Sequence, residues 1–346
     1  MLLSIPFPSW LTPEIIPGTI IRWYGLMYVV AFGIAYSLFR KQVRERHFPL
    51  TEDAVAALFT WGILGLLLGA RIFATIVYET SDIYRRQPWL IFWPFRNGQF
   101  TGLQGMSYHG GVIGCVTAVL IYLHIKHFDK REICDMVVAA IPLGYTFGRL
   151  GNFINAELQG RVTTVPWGMI FPNAQQLSTQ EPWVRAVAEK TGIDIAGAAL
   201  VNLPRHPSQL YEALFEGVVL WAFLWFMRNR KPFKGFIIAL YLAGYGLVRF
   251  IIEYFREPDS ALGYRLELIP NSLPVAQAHP LLSFSTGQIL NFMMIIAGII
   301  WAFIAARLPD RQVIRVYPDS KPVSSISAEE RQEQRKNRRR LRKKLR

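Results

Sequence analysis

The chain has 346 residues, of which 52% are hydrophobic, 14% aromatic and only 18% charged. A soluble protein carries roughly 25% charged residues, so this composition disfavours a conventional soluble domain. Apolar residues gather into runs of about 20, the length that a helix needs to cross a bilayer. The two cysteines, Cys115 and Cys134, lie inside such runs, which excludes a disulfide framework and a four-ligand zinc site. We expect both to be packing residues.

The net charge of +14 is concentrated in the C-terminal tail, residues 307–346. The tail contains 14 Lys and Arg against five Asp and Glu, a net charge of +9. Few large apolar residues follow Tyr317, so we predict a solvated and mostly disordered segment. Its basic residues lack interleaved aromatics, so we expect attraction to anionic lipid of the inner leaflet and no specific nucleic acid partner.

Hydropathy predicts an all-α polytopic membrane protein with seven transmembrane helices. Before them, residues 1–18 are apolar but broken by prolines and lack a basic flank, which indicates an external interfacial segment and not a cleavable signal peptide. Residues 19–306 form the predicted seven-span membrane domain. Its spans are 19–39, 54–78, 109–125, 133–150, 208–227, 236–255 and 287–306.

The basic loops set the predicted orientation. RKQVRERH follows the first span, KHFDKRE the third, RNRKPFKG the fifth and the basic tail the seventh. By the positive-inside tendency these segments are cytoplasmic, which places the N-terminus and residues 79–108, 151–207 and 256–286 outside. The 79–108 loop contains PWLIFWPF, which suits an interfacial arm. The 151–207 loop suits a small external cap with a helical stretch near 179–192.

Four arginines lie in the outer parts of the predicted spans, where positive charge is disfavoured: Arg22, Arg71, Arg149 and Arg249. An arginine at the centre of a membrane helix costs about 2.5–3.5 kcal/mol, and such residues usually face a partner or a polar cavity. Each one alone is explained by snorkelling to headgroups or by an ion pair. Four at one level favour a shared site for an anion.

Tyr245, Arg249 and Glu253 lie four residues apart on one face of the sixth predicted span. Two interpretations stay open. Either Arg249 and Glu253 form a purely structural ion pair, or Glu253 holds the guanidinium towards a phosphate, for which the planar fork of Arg is better suited than Lys. Both predict a contact between Arg249 and Glu253.

Two further segments carry polar groups at the same outer level. His109 precedes Gly110 and Gly111, which allow a backbone or a substrate to approach closely. It is either a hydrogen-bonded structural residue or a general base. The run GRLGNFINAELQGR, residues 148–161, places two arginines, two asparagines and a glutamate beside the fourth span. This run is either a folded turn with donors for an oxyanion or a hydrated loop.

The same run closely resembles the signature of the phosphatidylglycerol–prolipoprotein diacylglyceryl transferases of bacterial inner membranes. Four other segments accompany it in the family's order: RWYGLMY at 22–28, MSYHGGVIG at 106–114, RHPSQLYEALFEG at 205–217 and RFIIEYFREPD at 249–259. Ala156 departs from the signature, because Gly is common there in the family. The tail after about Arg311 lies outside the resemblance.

The resemblance implies a multi-pass enzyme of the bacterial inner membrane, with no metal or organic cofactor. Such an enzyme moves the diacylglyceryl group of phosphatidylglycerol onto the lipobox cysteine thiol of a lipoprotein precursor, forming a thioether and releasing glycerol phosphate. His109, Arg149 and Arg249 match catalytic positions of the family. The positions that match its substrate-binding residues are Tyr24, Arg149, Asn152, Glu157, Gly160, Arg161, Tyr245, Arg249 and Glu253.

This chemistry suits the charges in the spans. A leaving phosphate gains negative charge, which Arg149 and Arg249 can stabilise. The attacking thiol must lose a proton, and His109 is a candidate base, although the phosphate of the substrate or a cationic field would also serve. A rival from another class is a transporter or flippase for an anionic lipid. The inner halves of the spans carry almost no charge, which favours a site that opens to the outer leaflet.

Overall fold

The computed structural model describes residues 4–16, 18–19, 21–79, 82–96, 98–100, 105–257, 264–268, 274, 276–277 and 280–309. Nearly all of the predicted tail lies outside the described residues. The helices, in chain order, are α1 (Trp23–Glu45), α2 (Glu52–Phe73), α3 (Ile83–Arg86), α4 (Tyr108–Ile125), α5 (Lys130–Val138), α6 (Ile141–Ile154), α7 (Pro182–Thr191), α8 (Ser208–Glu212), α9 (Leu220–Met227), α10 (Phe236–Ile252) and α11 (Thr286–Arg307).

Short irregular helices and strands complete the secondary structure. Ala74–Tyr78 is a π-helical extension of α2, Ala213–Val219 is a π-helical segment that joins α8 to α9, and Pro88–Ile91 is a 3₁₀ turn. The strands are β1 (Ile5–Pro6), β2 (Phe95–Arg96), β3 (Gln99–Phe100), β4 (Met169–Ile170), β5 (Leu177–Ser178), β6 (Leu200–Val201), β7 (Tyr264–Glu267) and β8 (Ser283–Ser285). They form four two-stranded pairs: β1 with β4 (parallel), and β2 with β3, β5 with β6 and β7 with β8 (all antiparallel).

Four helical stretches among the described residues are long and apolar enough to cross a membrane: Glu52–Tyr78, Tyr108–Ile125, Ser208–Met227 and Thr286–Arg307. A fifth is added if α5 and α6, which bend by 40° at their junction, count as one span. All five coincide with predicted spans. The helices α1 and α10 lie where the other two were predicted, but α10 has 17 residues and α1 ends in charged residues. The chain is thus a mostly helical, polytopic membrane protein, and the number seven stays a prediction.

The chain divides into two compact units, which we describe separately. The second unit covers residues 40–133 of the described chain and is built on α2 and α4. These helices meet through glycines: a Cβ at Gly69 would collide with the carbonyl oxygen of Gly110, and one at Gly65 with that of Gly114. Small residues let membrane helices approach closely, where dispersion and weak polar contacts stabilise the pair. The close approach predicted at Gly110 is therefore that of another backbone.

The first unit contains residues 4–39 and 134–309. Within it, α6 packs on the π-helical segment Ala213–Val219, where Thr146 lies directly against Gly217. The neighbouring helix α10 packs along α11. Three rows of side chains, from α6, from the segment 208–219 and from α10, thereby meet near the ends of their helices.

Residues 155–207 of this unit fold into a small compact segment that contains β4, β5, β6 and α7. The helix expected near 179–192 is confirmed as α7. Its apolar face packs into a buried cluster made of Val162, Val184, Ala188, Val201 and Leu203. The N-terminal segment also joins this unit, because β1 pairs with β4 and Phe7 packs on Phe153 and Phe171 with ring centroids 5.5 and 5.6 Å apart.

Candidate active site

Arg149 lies on a polar face of α6 that also carries Tyr145 and Asn152. These residues are spaced four and three apart, which places them on one side of the helix. The Nε of Arg149 donates to the Tyr145 hydroxyl (2.5 Å), and its Nη1 donates to Asn152 Oδ1 (3.3 Å). The guanidinium carbon also lies 4.7 Å from the centre of the Tyr145 ring. Two side chains of its own helix therefore hold Arg149, independently of any other element.

The segment Ser208–Met227 supplies two buried carboxylates, Glu212 and Glu216, one helical turn apart. Glu212 Oε2 lies 2.8 Å from Arg149 Nε, and Glu216 Oε2 accepts a hydrogen bond of 2.5 Å from the Tyr145 hydroxyl. Glu216 lies in the π-helical segment, a geometry that often marks functional sites. Both side chains are at most 1% exposed, so their charges depend on the surrounding cations.

The helix α10 places Arg249 against three carboxylates. Its Nη1 lies 2.8 Å from Glu212 Oε1 and 3.4 Å from Glu216 Oε1, and its Nη2 lies 3.3 Å from Glu253 Oε2. The predicted contact with Glu253 is confirmed, but it is one of three. The hydroxyl of Ser285, which caps α11, donates to Glu253 Oε1 (3.0 Å) and fixes that carboxylate.

A third arginine, Arg256, reaches the same carboxylate: its Nη1 lies 3.2 Å from Glu212 Oε1. The cluster therefore contains three guanidinium groups and three carboxylates that balance in formal charge: Arg149, Arg249, Arg256, Glu212, Glu216 and Glu253. Burying such charges is tolerated only when they are paired and hydrogen-bonded.

The first half of the signature run belongs to α6, and its remaining residues, 155–161, form a folded turn and not a hydrated loop. Asn152 Nδ2 donates to Glu157 Oε1 (2.8 Å), while the backbone carbonyls of Glu157 and Leu158 accept hydrogen bonds from Gln209 (2.6 Å) and Ser208 (3.1 Å). The turn is thereby tied to the start of α8. Asn152 links it to Arg149, so the two predicted site residues Asn152 and Glu157 belong to one hydrogen-bonded chain.

Backbone geometry explains two small residues of this turn. Ala156 has a φ of 51°, in the left-handed region that favours glycine, which gives a physical reason for the Gly that is common at this position in the resembled family. Gly160 donates its N–H to the His206 carbonyl (2.8 Å) and lies so close to the Phe255 carbonyl that a side chain would collide with it. Gly160 is thus a packing requirement of the turn.

Arg161, the last residue of the run, is buried beside Tyr264 and points away from solvent. Its guanidinium lies 5.7 Å from the centre of the Tyr264 ring, and its backbone N–H donates to the Phe255 carbonyl (3.0 Å). Burial lowers the pKa of Arg161, and the neighbouring Tyr264, Glu253 and Glu257 act in the opposite direction.

The predicted site residues Tyr24 and Tyr245 flank the cluster within the first unit. The Tyr24 hydroxyl lies 3.0 Å from that of Tyr28, and its ring packs against Gly151 of the signature run. Tyr245 meets the Tyr145 ring edge-on, with centroids 5.9 Å apart. The first unit therefore brings together nine of the ten predicted residues, and His109 is the tenth.

His109 lies in the second unit, at the start of α4. It is exposed, and its Nδ1 lies 3.0 Å from the Tyr78 hydroxyl, which belongs to the π-helical extension of α2. The preceding residue, Ser107, caps the helix by accepting a hydrogen bond from the N–H of Gly110 (3.1 Å).

Arg71 has a different role from the one expected for it. It is 3% exposed, and its guanidinium donates to the backbone carbonyls of Leu90 (3.3 Å), Ile91 and Gly105 (3.1 Å). These contacts attach Leu90, Ile91 and Gly105 of the 79–108 loop to α2. The expectation that all four span arginines serve one anion site is therefore wrong for Arg71, because backbone carbonyls use its donors.

His206 lies in an aromatic cluster beside the signature turn. Its ring packs edge-on against Tyr211 and Phe255, and its Nδ1 lies 3.2 Å from the Tyr211 hydroxyl, which accepts a hydrogen bond from Trp167 (2.7 Å). Burial lowers the pKa of His206 to about 4, so the imidazole is neutral at physiological pH. A neutral ring suits its apolar neighbours.

Sequence reasoning missed four members of the hydrogen-bonded site: Tyr145, Glu212, Glu216 and Arg256. One available signal was that Glu212 and Glu216 are carboxylates four residues apart inside a predicted span, where ionisable residues are costly and usually functional. Tyr145, one helical turn before Arg149, was a weaker signal.

Chemically, the cluster holds three buried guanidinium groups in fixed orientations near the ends of apolar helices, beside the turn of the signature run. The family model for prolipoprotein diacylglyceryl transferase matches residues 13–304, which include every residue of the cluster. The chain belongs to the prolipoprotein diacylglyceryl transferase family.

Curated relatives support the same assignment along most of the chain. A phosphatidylglycerol–prolipoprotein diacylglyceryl transferase from Treponema pallidum is 50% identical over 329 residues, which cover 91% of this chain and 99% of the relative. The enzymes of that name from Treponema denticola and Chlorobaculum tepidum are 51% and 42% identical and cover 86% and 84% of this chain, and 94% and 89% of their own lengths. Membership of this transferase family therefore extends over all of the spans.

Proposed function

We propose that this chain transfers the diacylglyceryl group of phosphatidylglycerol to the lipobox cysteine thiol of lipoprotein precursors in the bacterial inner membrane. One observation carries the proposal: in a chain of this transferase family, Arg149 and Arg249 converge on the single carboxylate of Glu212 between apolar helices. Two arginines held in this way offer preorganised positive charge to a lipid phosphate.

The reaction forms a carbon–sulfur bond and breaks a carbon–oxygen bond, and the thiol gives up its proton. The cysteine sulfur attacks the glyceryl carbon of the lipid, and the bond from that carbon to the phosphate oxygen breaks. Glycerol phosphate leaves with an additional negative charge, and the diacylglyceryl group stays on sulfur as a thioether. Arg149 and Arg249 stabilise the charge that develops on the leaving phosphate.

His109 is the proposed base for the thiol proton. A thiol with a pKa near 8.5 is mostly protonated at neutral pH, so a positioned acceptor speeds the attack. The contact with Tyr78 fits this role when Nδ1–H donates to the Tyr78 hydroxyl, because Nε2 is then the acceptor. The leaving phosphate is the final acceptor of the proton.

The other residues that match the family motif are proposed to bind the lipid headgroup or to shape its site: Tyr24, Asn152, Glu157, Gly160, Arg161, Tyr245 and Glu253. We further propose seven spans, an external cap formed by residues 151–207, and a cytoplasmic tail attracted to anionic lipid. The basic loops support this orientation, and reporter fusions after Phe39 and after Met227 test it by giving cytoplasmic signals at both points. An external signal at either point contradicts it.

The function is tested with the purified chain, phosphatidylglycerol and a synthetic peptide that contains a lipobox cysteine. We expect a peptide heavier by one diacylglyceryl group and glycerol phosphate in equal amount. A peptide with serine in place of the cysteine is the control and gives neither product. If well-folded enzyme in detergent or vesicles forms neither product with the cysteine peptide, the proposed function is wrong.

A further inference from the structure

Glu212 is the one carboxylate of the cluster that contacts all three arginines among the described residues. Its Oε2 lies 2.8 Å from Arg149 Nε, and its Oε1 lies 2.8 Å from Arg249 Nη1 and 3.2 Å from Arg256 Nη1. The side chain is 1% exposed. A buried carboxylate with cations on both oxygens cannot turn without breaking an ion pair, so the orientation of Glu212 is set from two sides.

The two main arginines use their nitrogens differently. Arg249 directs Nη1 to Glu212 and Glu216 and Nη2 to Glu253, so both of its terminal nitrogens face carboxylates. Arg149 Nε donates its one hydrogen bond to Tyr145 and forms an ion pair with Glu212 Oε2, and its Nη1 donates to Asn152. Within the described part of the chain, no group accepts a hydrogen bond from Arg149 Nη2.

We propose that Glu212 is a positioning residue of the transfer reaction. Its ion pair with Arg149 Nε fixes the position of this guanidinium, so that the Nη2 N–H without a protein acceptor is directed at the phosphate of the substrate. Arg249 also holds the opposite oxygen of Glu212. This inference rests on the proposed function and assigns the direct contact: Arg149 binds the leaving phosphate, whereas Arg249 adds its positive charge nearby and holds the carboxylate that orients Arg149.

The charge balance of the cluster provides a readout that separates positioning from simple structural support. Replacing Glu212 by glutamine removes one of three negative charges and leaves the site with a net positive charge. An anion should then bind at least as tightly as before, because the attraction grows. The reaction should nevertheless slow, because Arg149 has lost the partner that sets its direction, and small displacements of catalytic groups cost about 100-fold in rate.

The experiment compares Glu212→Gln with wild type in two assays on the full-length enzyme. The first measures kcat and KM for phosphatidylglycerol with the lipobox peptide. The second measures the Kd of glycerol phosphate by calorimetry, which does not depend on turnover. We expect kcat to fall by about 100-fold, KM not to rise, and the Kd of glycerol phosphate to stay equal or fall.

Two variants serve as controls. Glu216→Gln removes the same charge one turn away but leaves Glu212 in place, so the Kd should change in the same direction while kcat falls by less than about tenfold, the usual cost of one lost hydrogen bond. Glu212→Asp keeps the charge but shortens the side chain, so it cannot span both arginines. Its kcat should fall by about 100-fold with little change in Kd, which also keeps the test valid if the glutamine variant does not fold.

The outcomes separate this inference from the function on which it rests. If wild type forms no lipidated peptide, the proposed function fails. If wild type is active and Glu212→Gln keeps its kcat, or loses kcat only in parallel with a weaker Kd, the positioning role is wrong. A loss in Glu216→Gln as large as that in Glu212→Gln also overturns it.

Discussion

The two main arginines of the site are largely buried, and carboxylate oxygens at fixed positions contact them where water would in solution. Arg249 is 13% exposed and contacts three of them, while Arg149 is 15% exposed and contacts one. A purely structural pair between Arg249 and Glu253 would not require Glu212 and Glu216 in the same place. Three carboxylates around one guanidinium indicate an ion-pair network in which Arg249 and its partners fix one another's orientation.

The proton-transfer role of His109 is tested by His109→Gln, which keeps a hydrogen-bonding group of similar reach but accepts no proton at neutral pH. If His109 is the base, turnover should fall by about 10²–10⁴-fold, and raising the pH should restore part of it as the thiolate forms spontaneously. The measurement is the pH profile of peptide lipidation.

His124→Gln is a matched control, because it changes a histidine at the opposite end of α4. Its turnover should equal that of wild type. If His109→Gln also keeps ordinary turnover and an unchanged pH profile, His109 only supports the helix start, and the arginine site is unaffected by that result.

His206 makes a prediction about acid stability. Its pKa falls from 6.5 to about 4 on folding, so between these values the unfolded chain binds a proton that the folded chain does not. The free energy of unfolding should therefore decrease as the pH falls from about 6.5 to about 4. His206→Gln should show a shallower decrease in thermal unfolding measured in detergent over this range.

At pH 8 the imidazole is neutral in both states, so the stability of the variant there reports only lost packing against Tyr211 and Phe255. An equally steep acid decrease in wild type and His206→Gln would show that burial does not perturb this imidazole. The same shift excludes His206 as the group that titrates near neutral pH in the activity profile.

At the scale of single residues, the sequence predicted which side chains belong to the site better than it predicted which of them contact one another. Arg149, Arg249 and Glu253 were identified from their cost in a membrane and from helical spacing. Glu212 was missed because its partners lie on two other helices, and the pairing of helices cannot be read from the period of one helix.

At the scale of elements, helix contacts are built on small residues. A Cβ added at Gly69 would meet the Gly110 carbonyl and the backbone of Gly114, whereas one at Gly33 of α1 has no atom within 4 Å. Gly69→Ala should destabilise the protein by about 1–3 kcal/mol through overpacking. Gly33→Ala should be neutral or stabilise by up to about 1 kcal/mol, because alanine favours a helix.

Thermal unfolding of the two variants in the same detergent checks this pair. Equal effects of the two substitutions would show that α2 and α4 do not pack as closely as described. The comparison is informative because both variants add one methyl group to a glycine inside a long helix.

Hydropathy located these helices within a few residues but could not predict their irregularities. The 40° bend between α5 and α6 lies beside Pro142, a residue that breaks helices, whereas the hydropathy pattern does not reveal the π-helical segment Ala213–Val219. The latter carries Glu216, so an irregularity that no periodicity reveals places one of the site carboxylates.

At the scale of the whole molecule, the basic loops predict one orientation of the chain in the membrane. The motif match between the first and sixth spans predicted the family, and the family model confirms it over residues 13–304. The number of spans, their orientation and the attraction of the tail to lipid are properties of the chain in a bilayer. They therefore stay proposals.

The central claim is that the phosphate of the lipid substrate accepts a hydrogen bond from Arg149 Nη2. The most direct measurement is a structure of the full chain with phosphatidylglycerol and a precursor peptide whose lipobox cysteine is replaced by serine. The account predicts a headgroup phosphate oxygen about 2.7–2.9 Å from Arg149 Nη2, with Glu212 still on Nε. A phosphate bound elsewhere, with Arg149 Nη2 turned to a protein group, would contradict it.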